Sequence, residues 1–123
     1  MLGTQMPNDN SMIRFQQLDV YIAAKEIARL VNEARINHTE LRDQAQRASI
    51  SCFLQLAEGL PNDGPGMRRK YFTESNNSLH ELVAAVDLAR TLGTLSDDRA
   101  QAIQELGVRI KRMLRALLNR PAG

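Results

Sequence analysis

Apolar residues recur at spacings of three and four in four stretches of the chain, with polar residues between them. This period is typical of amphipathic α-helices, because about 3.6 residues make one helical turn. No stretch alternates apolar and polar residues for long enough to indicate a strand. The pattern predicts helices at about residues 17–36, 40–59, 66–92 and 97–119. The apolar stripes that we expect to form the core are Val20, Ala24, Ile27, Val31 and Ala34; Leu41, Ala45, Ala48, Cys52 and Leu56; Tyr71, Ser75, Leu79, Leu82, Val86 and Ala89; and Ile103, Leu106, Ile110, Met113, Leu114 and Leu117.

Residues that start or stop helices stand at the expected boundaries. Thr39 is a plausible N-cap of the second helix, and Ser96, followed by two aspartates, is a strong N-cap of the fourth. Gly59 and Gly93 are typical of C′ positions that end the second and third helices. These boundaries leave short connections, which favour helices that run antiparallel to their neighbours.

The sequence therefore predicts an all-α fold, an antiparallel up-down-up-down four-helix bundle, in one domain. We expect residues 16–120 to form this bundle. Residues 1–15 are polar and contain Pro7, which indicates a flexible N-terminal arm.

The composition agrees with packed helices. Hydrophobic residues make up 43% of the chain and aromatic residues 4%, and there is no Trp, so aliphatic side chains must fill the core. The single cysteine, Cys52, excludes an intrachain disulfide and is expected to be a small buried residue. The chain shows neither a signal-peptide core nor an apolar run of about 18 residues, so we expect a cytoplasmic protein without a membrane partner.

Catalytic and metal-binding patterns are missing from the sequence. A di-iron bundle needs Glu-x-x-His on two helices, but Arg35 and Asn77 stand three residues before the two histidines, His38 and His80. The Arg-to-His spacing of some helical ribonucleases is absent before both histidines. We therefore expect a protein that is not an enzyme and has no cofactor, no metal and no catalytic residue.

The charge distribution indicates a candidate binding surface. The net charge is only +2, yet thirteen of the sixteen cations are arginines, which suit phosphate contacts. The fourth helix is cationic on the face opposite its apolar stripe, and more cations open the third helix, at the same end of an antiparallel bundle. The plain interpretation is a solvated face; the alternative is a nucleic-acid site. The candidate nucleic-acid-binding residues are Arg68, Arg69, Lys70, Arg109, Arg112, Arg115 and Arg120.

Short blocks in the second and third helices resemble a known bacterial family. Gln44, Arg47-Ala48, Ser51 and Ala57-Glu58-Gly59 are similar to its QxxRAxxSxxxxxAEG signature. Ser78-Leu79, Glu81-Leu82 and Leu92-Gly93 resemble its SLxEL and LG positions. The family is that of four-helix-bundle proteins of 23S rRNA intervening sequences, which includes the accessory variability determinant proteins of diversity-generating retroelements.

The resemblance implies a homopentamer that uses a basic surface to engage nucleic acid and a reverse transcriptase. We therefore predict a non-catalytic, oligomeric bundle that binds RNA, DNA or a nucleic-acid enzyme; the alternative is a protein-interaction module without nucleic-acid binding. Glu58 lies in the last turn of its helix, where the macrodipole disfavours an anion, so we expect it to pair with Arg68, Arg69 or Lys70 or with an arginine of another subunit. The candidate subunit-interface residues are Arg47, Glu58 and Glu81.

Overall fold

The computed structural model describes residues 14–119, with side chains from Leu18 onward. Four helices account for most of this range: α1 spans Arg14–Ala34, α2 Thr39–Gly59, α3 Pro65–Thr91 and α4 Asp97–Leu118. Helix α1 thus includes the last two residues of the predicted N-terminal arm, while residues 1–13 of that arm lie outside the described residues. None of the four helices combines the length and the apolar character that a membrane span requires.

Each helix packs against the two that are next to it around the bundle. The contacts join α1 to α2, α2 to α3, α3 to α4 and α4 back to α1, and the α2–α3 contact is the most extensive. The prediction of an all-α four-helix arrangement is confirmed. The largest fully buried side chains are Phe72, Ile27, Ile36, Leu56, Leu79, Leu82, Ile103, Ile110, Leu114, Val20, Val31 and Val86.

Local capping explains where three of the helices begin or end. The Ser96 hydroxyl accepts a hydrogen bond from the Arg99 amide at 3.3 Å, which confirms the predicted N-cap of α4. Gly93 has a φ of 74°, and the following amide, that of Thr94, donates to the Ala89 carbonyl, as in a Schellman motif. The predicted N-cap of α2 was wrong, because His38 holds that position and its Nδ1 accepts from the Leu41 amide at 3.2 Å.

Small residues let α2 and α3 approach closely. The Ser75 hydroxyl donates to the Cys52 carbonyl at 2.7 Å, and the Ser51 and Ser78 hydroxyls bond to each other at 2.9 Å. Ala48 and Ser49 are buried inside the bundle of a single chain. Packing within that bundle therefore explains their small size without a contact to another subunit. We call this contact the α2–α3 seam, and it tolerates buried hydroxyls because each has a partner.

Gly59 has a different role from the predicted one. It is the last residue of α2 rather than the C′ residue beyond it, and Leu60 is the C-cap. A Cβ at Gly59 would lie 2.9 Å from Cε1 of Phe72 and from Cβ of Tyr71. Glycine is therefore required here by the approach of α3, a tertiary contact, and not by a left-handed backbone conformation.

Candidate nucleic-acid interface

The beginning of α3 and the end of α4 meet at one end of the bundle. Arg69, in the second turn of α3, donates a hydrogen bond from Nη1 to the Leu118 carbonyl at 3.0 Å. A cation at the carbonyl end of a helix is favourable, because the macrodipole is negative there. Arg69 therefore stabilises the end of α4, which accounts for a cation placed unfavourably with respect to its own helix.

The three neighbouring cations Arg68, Arg69 and Lys70 have different contacts. Arg69 reaches the Leu118 carbonyl of α4, while the Arg68 guanidinium lies over the Phe72 ring and the Lys70 ammonium over the Tyr71 ring, at 5.5 and 5.7 Å from the ring centroids. Successive helical residues point about 100° apart, so three neighbours spread around the helix. Joint binding of a phosphate by these three cations stays a prediction.

Helix α4 supplies most of the charge on the outer α3–α4 side. Arg112 and Arg115 are exposed, and Lys111 is half-buried at the edge of α3. At about 100° per residue these three point toward α3 or outward, whereas the exposed Arg109 points outward and away from α3. We call Arg69, Lys111, Arg112 and Arg115 the basic stripe. Arg120, the remaining predicted residue of this set, lies outside the described residues.

Nothing acidic accompanies the basic stripe on its helix. Residues 106–119 of α4 contain no Asp or Glu. The first turn of α3 also lacks an acidic residue. Its N-cap residue, Gly64, has no side chain that could accept a hydrogen bond from the helix. The first turns of α2 and α4, in contrast, carry Glu40 and Asp97 with Asp98. The positive end of the α3 dipole at this end of the bundle is therefore not offset by an acidic residue in its own first turn.

A shallow groove adjoins the basic stripe between α3 and α4. It has a volume of about 410 Å³, and Lys111 lies on its rim together with His80 and Asp87. Gly107 lines the groove, and α3 approaches α4 closely there, since a Cβ at residue 107 would lie 3.2 Å from Cγ2 of Val83. The apolar part of the lining is formed by Leu79, Val83, Ala84, Gly107 and Val108.

The predicted subunit-interface residues lie on other parts of the surface. Arg47, Glu58 and Glu81 are all exposed. None of the described side chains forms an ion pair with Glu58, so its expected pairing with a cation of the α3 start is not made within the chain. Its pairing with another subunit stays a prediction.

Sequence reasoning missed a second arginine that acts like Arg69. Arg99, in the first turn of α4, donates from Nη1 to the Glu33 carbonyl at 2.7 Å and so stabilises the end of α1. Both arginines cap a neighbouring antiparallel helix across a long sequence separation. The signal in the sequence is an Arg in the first two turns of a helix, where its own dipole disfavours it.

The structure shows what surrounds the single cysteine and the two histidines. Burial raises the pKa of the Cys52 thiol, against a smaller opposing effect of the hydrogen bond with Ser75, so the thiol stays protonated at neutral pH. His38 caps α2, and His80 is exposed beside the groove. Within residues 18–119, three or more His, Cys, Asp and Glu side chains nowhere gather into a group that would hold a metal ion.

One family model matches this chain, over residues 16–116, which is most of its length; the family is described as 23S rRNA-intervening sequence protein. The match confirms the resemblance seen in the sequence. No curated protein matches the chain.

Proposed function

The chain belongs to the 23S rRNA-intervening sequence protein family, and we propose that it is a non-catalytic, oligomeric bundle that binds the phosphate backbone of RNA or DNA through its basic stripe. The family description names a location in rRNA genes and no reaction. The protein would then act in the cytoplasm, with nucleic acid as its partner.

The observation that supports this proposal is the clustering of cations along the last turns of α4 and at the start of α3. Arg112 and Arg115 stand one turn apart, with Lys111 beside them and Arg69 across from the end of α4. Each cation near a phosphate releases condensed counterions, and this release provides most of the affinity in backbone-directed binding. Since residues 106–118 of α4 contain no Asp or Glu, no acid on the last three turns of that helix offsets the attraction.

The aromatic residues indicate how selective the binding is. Phe72 is buried in the core, and Tyr71 is half-buried on the α2 side of α3, away from the stripe. Bases therefore have no described aromatic side chain to stack on beside the stripe. We expect contacts that position a phosphate backbone without reading its sequence.

An oligomer of this chain would carry one basic stripe on each subunit. The resemblance implies a pentamer, and several copies of the stripe in one assembly would bind a long polyanion far more tightly than one copy. A reverse transcriptase is the enzyme that the resemblance implies as a further partner. It would be brought to the nucleic acid that the bundle holds.

The test is a binding titration of a labelled RNA and of a DNA of the same sequence over a salt series. Arg112→Gln/Arg115→Gln should weaken binding of both and should lower the slope of log K against log salt by about 2, because two phosphate contacts are lost. The matched control is Lys25→Gln/Arg35→Gln, which removes the same charge from exposed positions of α1 and its C-terminal connection. Equal loss in both double variants, or no binding by the wild type at low salt, would contradict the proposal.

A second candidate function is a protein-interaction module, and the groove beside Gly107 is the observation that favours it. An apolar groove between two helices suits a partner helix. Val83→Gln, which places a polar side chain at the groove wall without changing the charge, should then abolish partner capture and leave nucleic-acid affinity unchanged. The Arg112→Gln/Arg115→Gln variant should give the opposite pattern under the proposed function.

A further inference from the structure

Two helices of the bundle carry large apolar side chains that the chain itself leaves uncovered. Ile22 of α1 and Ile50 and Leu54 of α2 are 52%, 53% and 54% exposed, and Leu18 lies one turn before Ile22 at 36%. We call Leu18 and Ile22 the α1 patch, and Ile50 and Leu54 the α2 patch. Two apolar patches on neighbouring helices suit contacts with other protein surfaces.

The two patches lie at the same height along the bundle. The rings of Tyr21 and Phe53 lie 5.0 Å apart, so residue 21 of α1 is level with residue 53 of α2. The two helices are antiparallel, and each residue adds about 1.5 Å of height. The α1 patch is therefore level with about residues 52–56 of α2, and the α2 patch itself occupies residues 50–54. The patches overlap along most of their length.

The two patches point in different directions from the bundle. Within residues 14–119 each helix contacts only the two next to it, so the four helices stand at the corners of a square. At 100° per residue, both patches lie within about 30° of the direction opposite to the buried side of their helix. Neighbouring corners of a square point about 90° apart, and so do the patches. This angle suits a small closed ring, because a ring of four chains needs about 90° between its two contact faces and a ring of five about 108°.

The charges beside the two patches are complementary. On α2, the exposed Asp43 and Arg47 precede the α2 patch. On α1, Arg29 pairs with Glu26 and Glu33 just after the α1 patch. By the same relation of heights, Arg47 lies within about one residue of the height of Glu26, and Asp43 lies about two residues from that of Arg29. An α1 from a second chain, packed on the α2 patch, would therefore bring an opposite charge to each of these two α2 residues.

We infer that the α2 patch of one chain packs against the α1 patch of the next, and that this head-to-tail contact closes a ring whose axis is parallel to the helices. The equal heights of the patches allow the ring to close, because a difference in height would give an open helical filament instead. The inference rests on the proposed function in one respect, since it names the subunit contact of the proposed oligomer. Of the predicted interface residues, the contact uses Arg47.

The contact leaves the basic stripe accessible. The α1–α2 side lies between the two patches, so it faces the ring axis, and the α3–α4 side lies opposite to it on the outside of the ring. Every subunit then presents its own basic stripe to the surroundings. A long polyanion could bind several stripes of one ring, as the proposed function requires.

Two complementary variants test the head-to-tail contact. Ile22→Lys disrupts the α1 patch and Leu54→Lys the α2 patch, so each should lower the mass in light scattering from that of a ring to the chain mass of 13.8 kDa. An equimolar mixture of the two variants keeps one intact contact, between the α2 patch of the first and the α1 patch of the second. The mixture should form a species of twice the chain mass and nothing larger.

The matched control is Leu88→Lys, which adds the same charge at an exposed apolar position of α3 and should keep the wild-type mass. Circular dichroism of each variant shows whether the bundle folds, and Ile50→Lys should reproduce the result of Leu54→Lys. The inference would be overturned by a wild-type monomer or dimer, by a patch variant that keeps the wild-type mass, or by a mixture that stays monomeric.

A charge reversal tests the pairing across the contact. Arg47→Glu places a like charge opposite Glu26, so it should raise the chain concentration at which half of the rings dissociate by about fivefold or more. An unchanged concentration would contradict the contact.

Nucleic-acid binding is read separately from assembly. A wild-type ring that binds no RNA at low salt would contradict the proposed function and leave the subunit contact standing. A wild-type monomer that binds RNA, with affinity that falls as salt rises, would contradict the contact and leave nucleic-acid binding standing.

Discussion

The outer α1–α2 side and the outer α3–α4 side belong to one bundle, yet they carry their charges differently. On α1, Arg29 is paired with Glu26 and Glu33, and its hydrogen bond lowers the pKa of the Glu26 carboxyl. On the outer face of α2, the exposed Arg47 and Glu58 have opposite signs. On the α3–α4 side, the basic stripe has one sign.

The difference distinguishes the partners that each side can accept. Mixed charges arranged about an apolar centre match a surface of the same kind, because every cation then meets an anion. A row of cations repels its own copy and attracts a polyanion. Under the proposed function, the outer α3–α4 side is the one that binds nucleic acid.

Salt should separate the two interactions, and this is the largest expected effect. With four cations on the stripe, raising salt from 50 to 200 mM should weaken duplex binding by about 10²-fold. Oligomerisation should change by much less, because subunit contacts bury apolar surface and depend little on counterion release. Fluorescence anisotropy of labelled nucleic acid and light scattering of the protein, on the same samples, measure both. Parallel loss of both would show that one surface serves both partners.

Crowding the α2–α3 seam should lower the stability of the whole bundle. Gly59→Ala brings a Cβ against Phe72 and Tyr71, and we expect it to lower the free energy of unfolding by about 1–3 kcal/mol. Urea unfolding followed by circular dichroism measures this. Gly66→Ala is the control, since a Cβ there meets nothing within 4 Å and Ala favours the helix. An unchanged midpoint for Gly59→Ala would show that the seam adapts.

The two arginine caps provide a matched pair for separating stability from binding. Arg69→Gln and Arg99→Gln each remove a cation from the end of a neighbouring helix, so each should lower the free energy of unfolding by about 1 kcal/mol. Only Arg69→Gln should also weaken nucleic-acid binding, because Arg99 lies at the other end of the bundle. Thermal unfolding and the binding titration measure the two effects. Equal loss of affinity for nucleic acid in both variants would show that Arg69 does not contribute to binding as part of the basic stripe.

The smallest expected effect is on the pH dependence of stability. The pKa of Cys52 is raised in the folded chain, so the thiol's contribution is fully present below about pH 9 and falls as the unfolded thiol ionises above it. The loss is at most about 1.4 kcal/mol per pH unit. Unfolding of Cys52→Ala between pH 7 and 10 should show a shallower alkaline decline than the wild type. An identical decline would assign the effect to other groups.

The fold was predictable because its determinants are local. Helical periodicity located the four helices, and Ser96 caps α4 as an N-cap serine should. Gly59 could not be interpreted in the same way, since the reason for it is the approach of Phe72 from another helix. His38, and not Thr39, is the N-cap residue of α2, because its Nδ1 accepts a hydrogen bond from the Leu41 amide. Histidine is an uncommon N-cap residue, so local preference pointed to the wrong position.

The candidate site was only partly predictable. Arg112 and Arg115 follow from the helical wheel of α4, whereas the dispersal of Arg68, Arg69 and Lys70 required the structure to show which ring or carbonyl each one meets. The pairing of Arg69 with Leu118 depends on how α3 and α4 pack, and no local pattern specifies it.

The most direct test is light scattering of Arg112→Glu/Arg115→Glu mixed with labelled RNA, with the RNA absorbance followed in the same run. Two separate surfaces predict that this variant elutes at the wild-type assembly mass without RNA, under conditions in which the wild type carries RNA. Loss of the assembly together with the RNA, or RNA still bound at the wild-type level, would contradict the assignment of the two sides to two partners.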